Sequence, residues 1–276
     1  MVSRKDYNQI AVKAAYSVML ELMRALGEYR DGMAVVGGWV PALLMGNSVE
    51  KHIGSIDVDI ALNHKSIDAH GYNTIRKLLI KRGYKTGNQP FIFFRNVIIE
   101  DIPVEVEVDF LAGEYEGTSK SHRTQIIQDV RARKARGCEL AFELHDEILI
   151  EGFLPDGGKD SVTVHVAGIV PFIVMKGMAM HDRIKEKDAW DIYYCLKNHP
   201  KGIDALVEDF KPLLSNSLVV EGLKKIAGKF ASIENFGPVS VAAFEELTDP
   251  DEKAFRQRDA YERMHLLLSK LGISAD

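Results

Sequence analysis

Cysteine is nearly missing from this chain of 276 residues: only Cys138 and Cys195 are present. Two thiols cannot build a disulfide framework, and they are too few for a cysteine-rich zinc site. Long apolar runs are missing too. Nothing approaches the roughly 20 residues of a membrane span, and the opening MVSRKDYNQI lacks the apolar core of a signal peptide. No internal repeat or low-complexity linker breaks the pattern. A strong excess of one charge is also lacking. Lys and Arg number 35 against 40 Asp and Glu, a net charge of −5. That excludes a uniformly basic coat for nucleic acid but leaves room for a local basic patch. The histidines show no ligand spacing, and no Ser-His-Asp triad is suggested. Secreted, disordered and membrane classes drop out, and a cytoplasmic protein is expected. What is there is 46% hydrophobic residues, enough for a real core.

Apolar spacing predicts a helix over 6–29, a short buried strand MAVVGG (33–38), a short helix WVPALLM (39–45) and an alternating strand SIDVDIAL (55–62). Helical spacing returns over 66–82. FIFFRNVII (91–99) and VEVEVDFL (104–111) read as strands joined by Glu-Asp-Ile-Pro, hence a hairpin. The polar, basic stretch 122–136 reads as a helix, and 142–153 and 161–168 as extended. From Pro171 onward apolar residues recur three and four apart. The expected fold class is α+β: a mixed sheet with flanking helices over 1–168, then a helical bundle over 169–276.

Strand alternation puts Asp57 and Asp59 on one face, with Ile56, Val58 and Ile60 on the other. Paired carboxylates repel unless water or a cation lies between them, and Mg²⁺ prefers such hard oxygen ligands. Glu105, Glu107 and Asp109 repeat the pattern. Three carboxylates from two neighbouring strands suit the two metal ions of a phosphoryl transfer. A solvated acidic face is the bland alternative for each segment. Upstream, Val36-Gly37-Gly38-Trp39 closes a buried strand and opens a helix, a place where backbone N–H groups can approach a phosphate.

The stretch GGWVPALLMGNSVEKHIGSIDVDIAL resembles the signature of the polymerase-β-like nucleotidyltransferase superfamily, a Gly-Gly turn, a short helix and then Asp-x-Asp. FIVMKGMAMHDRIKEKDAWDIYYCL is similar to the C-terminal signature of AbiEii/AbiGii-type nucleotidyltransferase toxins, with Lys176, Ala179, Arg183, Lys187-Asp188 and Asp191 in order. Together the two blocks span about 33–198. The resemblance implies a minimal nucleotidyltransferase sheet and an NTP-dependent transferase that releases pyrophosphate. Gly37, Gly38 and Trp39 would lie at the nucleotide, and Asp57, Asp59 and Asp109 would hold Mg²⁺, with Glu107 as the substitute third acid. Lys176 would sit near the triphosphate, with Arg183 beside it, and Asp188 and Asp191 match the family's later acids. Trp39 departs from the Ser or Thr that many relatives carry after the glycine; Gly-Gly-Trp also occurs in antibiotic nucleotidyltransferases.

Read physically, Lys176 and Arg183 are seven apart on one helix face, suited to a triphosphate or simply solvated. Asp188 and Asp191 can pair with Lys176, Arg183 or Lys187. Trp190, Tyr193 and Tyr194 read as core. Arg131, Arg133, Lys134 and Arg136 form the densest basic run, either an RNA or phosphate contact or a solvated face. The resulting expectation is a transferase moving an NMP onto tRNA or another macromolecule, with a role as a toxin paired with a separately encoded antitoxin implied by the resemblance. A small-molecule acceptor such as an aminoglycoside or lincosamide, and an inactive scaffold of the same fold, are the alternatives.

Overall fold

The computed structural model describes residues 3–67, 74–114 and 124–274. Its architecture is α+β, a mixed sheet with an N-terminal helix followed by a helical region. The chain divides into two compact units. One comprises Tyr7–Leu44 and Gly54–Gly168; the other comprises Met45–Ile53, Ile169–Asp276 and the residues up to Asp6.

In the α/β unit, α1 (Gln9–Ala25) begins at Asn8, whose side-chain oxygen accepts from Ala11 N at 2.8 Å and satisfies one orphan N–H of the first turn. The helix buries Ala14, Ala15, Val18, Met19, Leu22 and Met23, each larger side chain contributing about 1.5–3 kcal/mol relative to exposure. It is shorter than the periodicity suggests: after Ala25 the chain tightens into 3-10 turns over Gly27–Gly32.

The strands β1 (Met33–Val36), β2 (Val58–Leu62), β3 (Lys85–Thr86), β4 (Ile92–Ile99), β5 (Ile102–Ala112), β8 (His145–Phe153) and β9 (Lys159–Ala167) are ordered β3-β4-β5-β2-β1-β9-β8. The β4–β5 hairpin turns on Glu100 and Asp101, both with positive φ, and Ile102 and Pro103 already belong to β5. Helix α1 packs on the face that carries Val106, Val108 and Phe110, and its Glu21 accepts both Nε and Nη2 of Arg95 at 3.0 Å. Glu105, Glu107 and Asp109 alternate to the other face.

Two expectations need correction here. The basic stretch 124–134 is not a helix but the hairpin β6 (Thr124–Ile127) and β7 (Val130–Lys134). Val130-Arg131-Ala132-Arg133 alternates buried and less buried positions, a period of two that the density of charge obscures. Residues 122 and 123 lie outside the described residues, as do 68–73 of the helix expected over 66–82; α3 runs Ile75–Lys81, capped by Thr74. The strand expected over 55–62 begins late: Ile56 and Asp57 form a bend, and β2 starts only at Val58. A short helix α2 (Val40–Leu44) and α4 (Leu140–Glu143) complete the unit.

The helical unit contains α5 (Ile169–Asp182), α6 (Glu186–Asn198), α7 (Gly202–Phe210), α8 (Ser217–Lys229), α9 (Phe236–Phe244) and α10 (Pro250–Leu271). Helices α5 and α8 approach so closely that a Cβ on Gly177 would lie 2.6 Å from Gly222 O. The segment Met45–Ile53 is held in this unit by Tyr194 Oη donating to Glu50 O at 2.7 Å and by Lys197 Nζ with Glu50 Oε2 at 2.7 Å. No described helix is long and apolar enough to cross a membrane.

Candidate functional site

In the α/β unit, the parallel pairing of β2 with β5 sets Asp59 directly beside Asp109. Registered residues of neighbouring strands share a face, so two carboxylates stand side by side about 5 Å apart at the backbone. The same register answers which acid of β5 belongs to the pair: Asp109 is level with Asp59, and Glu107 is two residues away. On the other side of β2, Val36 of β1 is opposite Asp59. The chain then turns at Gly37, whose φ is +69°. A Cβ there would lie 1.9 Å from Asp59 Oδ2. Only glycine satisfies both the left-handed backbone and this close approach, so the double glycine brings bare backbone against a carboxylate.

Strand β5 changes its outer neighbour at this point. It pairs with β4 as far as Asp109, opposite Ile92, and with β7 from Leu111, opposite Arg133. Arg133 therefore falls on the same face as Asp109, one diagonal step away. Its Nη2 donates to Asp109 Oδ2 at 2.6 Å and its Nε to the same oxygen at 3.2 Å, while Phe91 lies under the guanidinium with 5.9 Å from Cζ to the ring centroid. Sequence reasoning grouped Arg133 with a helical basic run. The strand alternation was the signal that could have placed it.

Asp57 precedes the strand that carries Asp59. It lies in the bend before β2, where its Oδ1 accepts from the Ser55 hydroxyl. Its carbonyl accepts from Trp39 Nε1 at 2.9 Å. Trp39 is 4% exposed and lies 5.5 Å from the Tyr16 ring. A buried indole seeks a hydrogen-bond acceptor, and here it anchors the bend that presents Asp57. The Trp39 indole is thus buried and committed to the Asp57 backbone. Gly38 is buried within the turn.

The donor chemistry of Asp57, Asp59 and Asp109 fits a hard divalent cation. Among the described residues no group of three His, Cys, Asp or Glu side chains is already arranged around one point. Asp57 Oδ1 is engaged by Ser55 and Asp109 Oδ2 by Arg133. Nearby Cys138 is fully buried, and burial, reinforced by Glu139, pushes its thiol up and keeps it neutral.

No protein-family profile matches this chain, and no curated protein does. Two solved structures, both of Helicobacter pylori proteins, are similar to it. JHP933 is 14% identical with a TM-score of 0.40, over 93% of this chain and 94% of that one. A second protein, provisionally assigned as a nucleotidyltransferase, is 14% identical with a TM-score of 0.45, over 93% and 96%.

The helical unit gathers the other expected site residues into one buried cluster. Lys176 Nζ lies 2.6 Å from Asp188 Oδ1 and 2.8 Å from Asp191 Oδ2. Arg183, one residue past α5, donates through Nε to Asp188 Oδ2 at 3.0 Å. Lys187 Nζ lies 2.7 Å from Asp191 Oδ1, and His52 Nε2 is 3.0 Å from the same oxygen. The Asp188, Asp191 and His52 side chains are inaccessible to solvent. Burial alone would lower the Lys176 pKa, but Asp188 and Asp191 more than offset it and hold the ammonium charged. Burial would likewise raise both aspartates, and the cations overcome it and hold them below the usual carboxylate range. His52 goes the other way. Burial pushes it down to about 4, since the hydrogen bond to Asp191 is outweighed by desolvation and by neighbouring Lys187. Lys176 and Arg183, the two cations of the expected stripe, both pair with Asp188, Lys176 from within and Arg183 from a half-exposed position. His52 was not anticipated. It is remote in sequence and has no motif.

Proposed function

We propose that the α/β unit is a magnesium-dependent nucleotidyltransferase that moves an NMP from an NTP to an acceptor. The observation that carries the reading is the in-register pair Asp59–Asp109 beside the Gly37 turn. Asp57, Asp59 and Asp109 are the residues that would hold Mg²⁺, which when bound supplies charge neutralisation and polarisation at the phosphates. The chain's own groups do the positioning. Gly37 and Gly38 leave side-chain-free backbone next to Asp59 for phosphate oxygens. The Trp39 indole and the Ser55 hydroxyl fix the Asp57 bend before any ligand arrives, which lowers the cost of ordering the site. Asp109 takes the proton of the attacking hydroxyl as its oxygen bonds to the α-phosphorus and pyrophosphate departs. In this reading Lys176, Asp188 and Asp191 support the helical unit and do not touch the nucleotide.

The acceptor in this reading is tRNA and the protein a toxin with a separately encoded antitoxin, supported by the motif resemblance of residues 33–198. The full chain with labelled NTPs, Mg²⁺ and total cellular RNA should label RNA. Asp59→Asn should lower labelling about a hundredfold or more, the scale of losing a preorganised charge. Undiminished labelling by Asp59→Asn would remove the metal assignment. Label on an aminoglycoside or lincosamide in place of RNA would move the acceptor to a small molecule.

A further inference from the structure

The contact between Arg133 and Asp109 is placed where a ligand would have to act. The Arg133 side chain is 37% exposed and Asp109 only 11%, so the guanidinium lies toward solvent and the carboxylate beneath it. Both Nε and Nη2 engage the same oxygen, Asp109 Oδ2. A divalent cation seeking Asp109 and a guanidinium already on it repel each other and compete for that oxygen. The strand position of Arg133 is fixed by its pairing with Leu111, but its side chain can swing without moving the backbone. Its planar fork also matches phosphate oxygens as well as carboxylate.

We propose that Arg133 is a nucleotide-positioning residue: it neutralises Asp109 in the ligand-free protein and passes to a phosphate of the incoming nucleotide when a divalent cation takes Asp109. The proposal rests on the nucleotidyltransferase reading of the same site. It predicts an order of events in which the cation and the nucleotide arrive together, because each removes an obstacle to the other. Cation binding alone must displace the guanidinium into water, where it gains no anionic partner. With nucleotide present the displaced guanidinium gains a phosphate partner, and the two ligands become mutually reinforcing.

The test measures Mn²⁺ binding to the full chain by electron paramagnetic resonance, without nucleotide and with α,β-methylene analogues of the four NTPs offered singly. Arg133→Gln should bind Mn²⁺ about tenfold more tightly than the unaltered chain without nucleotide, the scale of removing one charge-assisted contact. In saturating Mn²⁺ it should bind the preferred analogue about tenfold more weakly. Arg133→Lys, which keeps the charge but loses the fork, should fall between the two in both measurements. It also stands in should Arg133→Gln fail to fold. A merely structural Arg133 predicts unchanged or weaker Mn²⁺ binding in both variants, and that result overturns the proposal. Asp59→Asn separates the two readings. If it abolishes Mn²⁺ binding while the Arg133 variants do not tighten it, only the role of Arg133 falls. If Asp59→Asn binds Mn²⁺ like the unaltered chain, the nucleotidyltransferase reading falls and this proposal with it.

Discussion

Two regions of this protein hold carboxylates close to cations, and they do so in opposite ways. In the helical unit, Asp188 and Asp191 lie fully buried between Lys176, Lys187 and Arg183, with both lysine side chains at most 9% exposed. In the α/β unit, Asp109 lies near the surface beside Asp59, under an arginine that is more than one-third exposed. Buried charges are tolerated only when matched, and removing one partner strands the rest. A pair whose arginine reaches solvent can exchange that partner for a ligand. In the first region the carboxylates are enclosed by their cations; in the second a carboxylate has a cation that reaches solvent.

The largest effect expected from this contrast is at Lys176. Lys176→Met leaves two buried aspartates short of a cation and should destabilise the chain by about 3–5 kcal/mol in urea unfolding. A cost below about 1 kcal/mol, the range of exposed ion pairs, would break the comparison at its stronger end.

Next comes the pH dependence contributed by His52. Its pKa is lowered from 6.5 to about 4 in the fold, so between these values the unfolded chain binds a proton that the folded chain refuses. Stability from the neutral imidazole is complete above pH 6.5 and is lost as pH falls toward 4, by up to about 3 kcal/mol. Asp191, Lys187 and Lys176 face the ring. The lowered aspartates add a slope of the same sign only at the acid end, below about pH 5, and they are common to the unaltered chain and the His52 variant. Unfolding free energies of the unaltered chain and His52→Gln across pH 4–7 should diverge in that sense. Parallel curves would show that the cluster does not hold His52 neutral.

The smallest expected loss of stability sharpens the second region. Gly37→Ala places a Cβ against Asp59 Oδ2 at a positive φ, which should cost about 1–2 kcal/mol. The clash displaces the Asp59 carboxylate, so Mg²⁺ and NTP should no longer raise the melting temperature of this variant. A preserved ligand-induced shift would show that the Gly37 turn and Asp59 do not act together.

Much of the fold was legible because its periodicities are clean. The β4–β5 hairpin, the valines of β5 and the helical spacing after Pro171 follow from side-chain alternation and the 3.6-residue turn. The stretch 124–134 misled because dense Arg and Lys suggest a solvated helix, while the apolar partners of a hairpin are small: Ala132 and Val130. The start of β2 misled for a different reason. Alternation assumes the strand has begun, and here Ile56 and Asp57 form a bend ahead of Val58. At the candidate site, Asp59, Asp109 and Gly37 were all read from the sequence; Arg133 there, and His52 in the helical unit, acquire their partners only through long-range contacts.

By itself the sequence determined which residue types were available: carboxylates alternating on two strands, a double glycine after a buried strand, and lysines and aspartates at helical spacing. Local geometry is enough for that, because strand and helix periods are properties of the backbone. Only the tertiary structure decided which charges meet. The register of β2 against β5 chose Asp109 over Glu107, the switch of β5 from β4 to β7 delivered Arg133, and burial turned Lys176 inward to its two aspartates. Those choices depend on strand pairing and desolvation, which no local window of sequence contains.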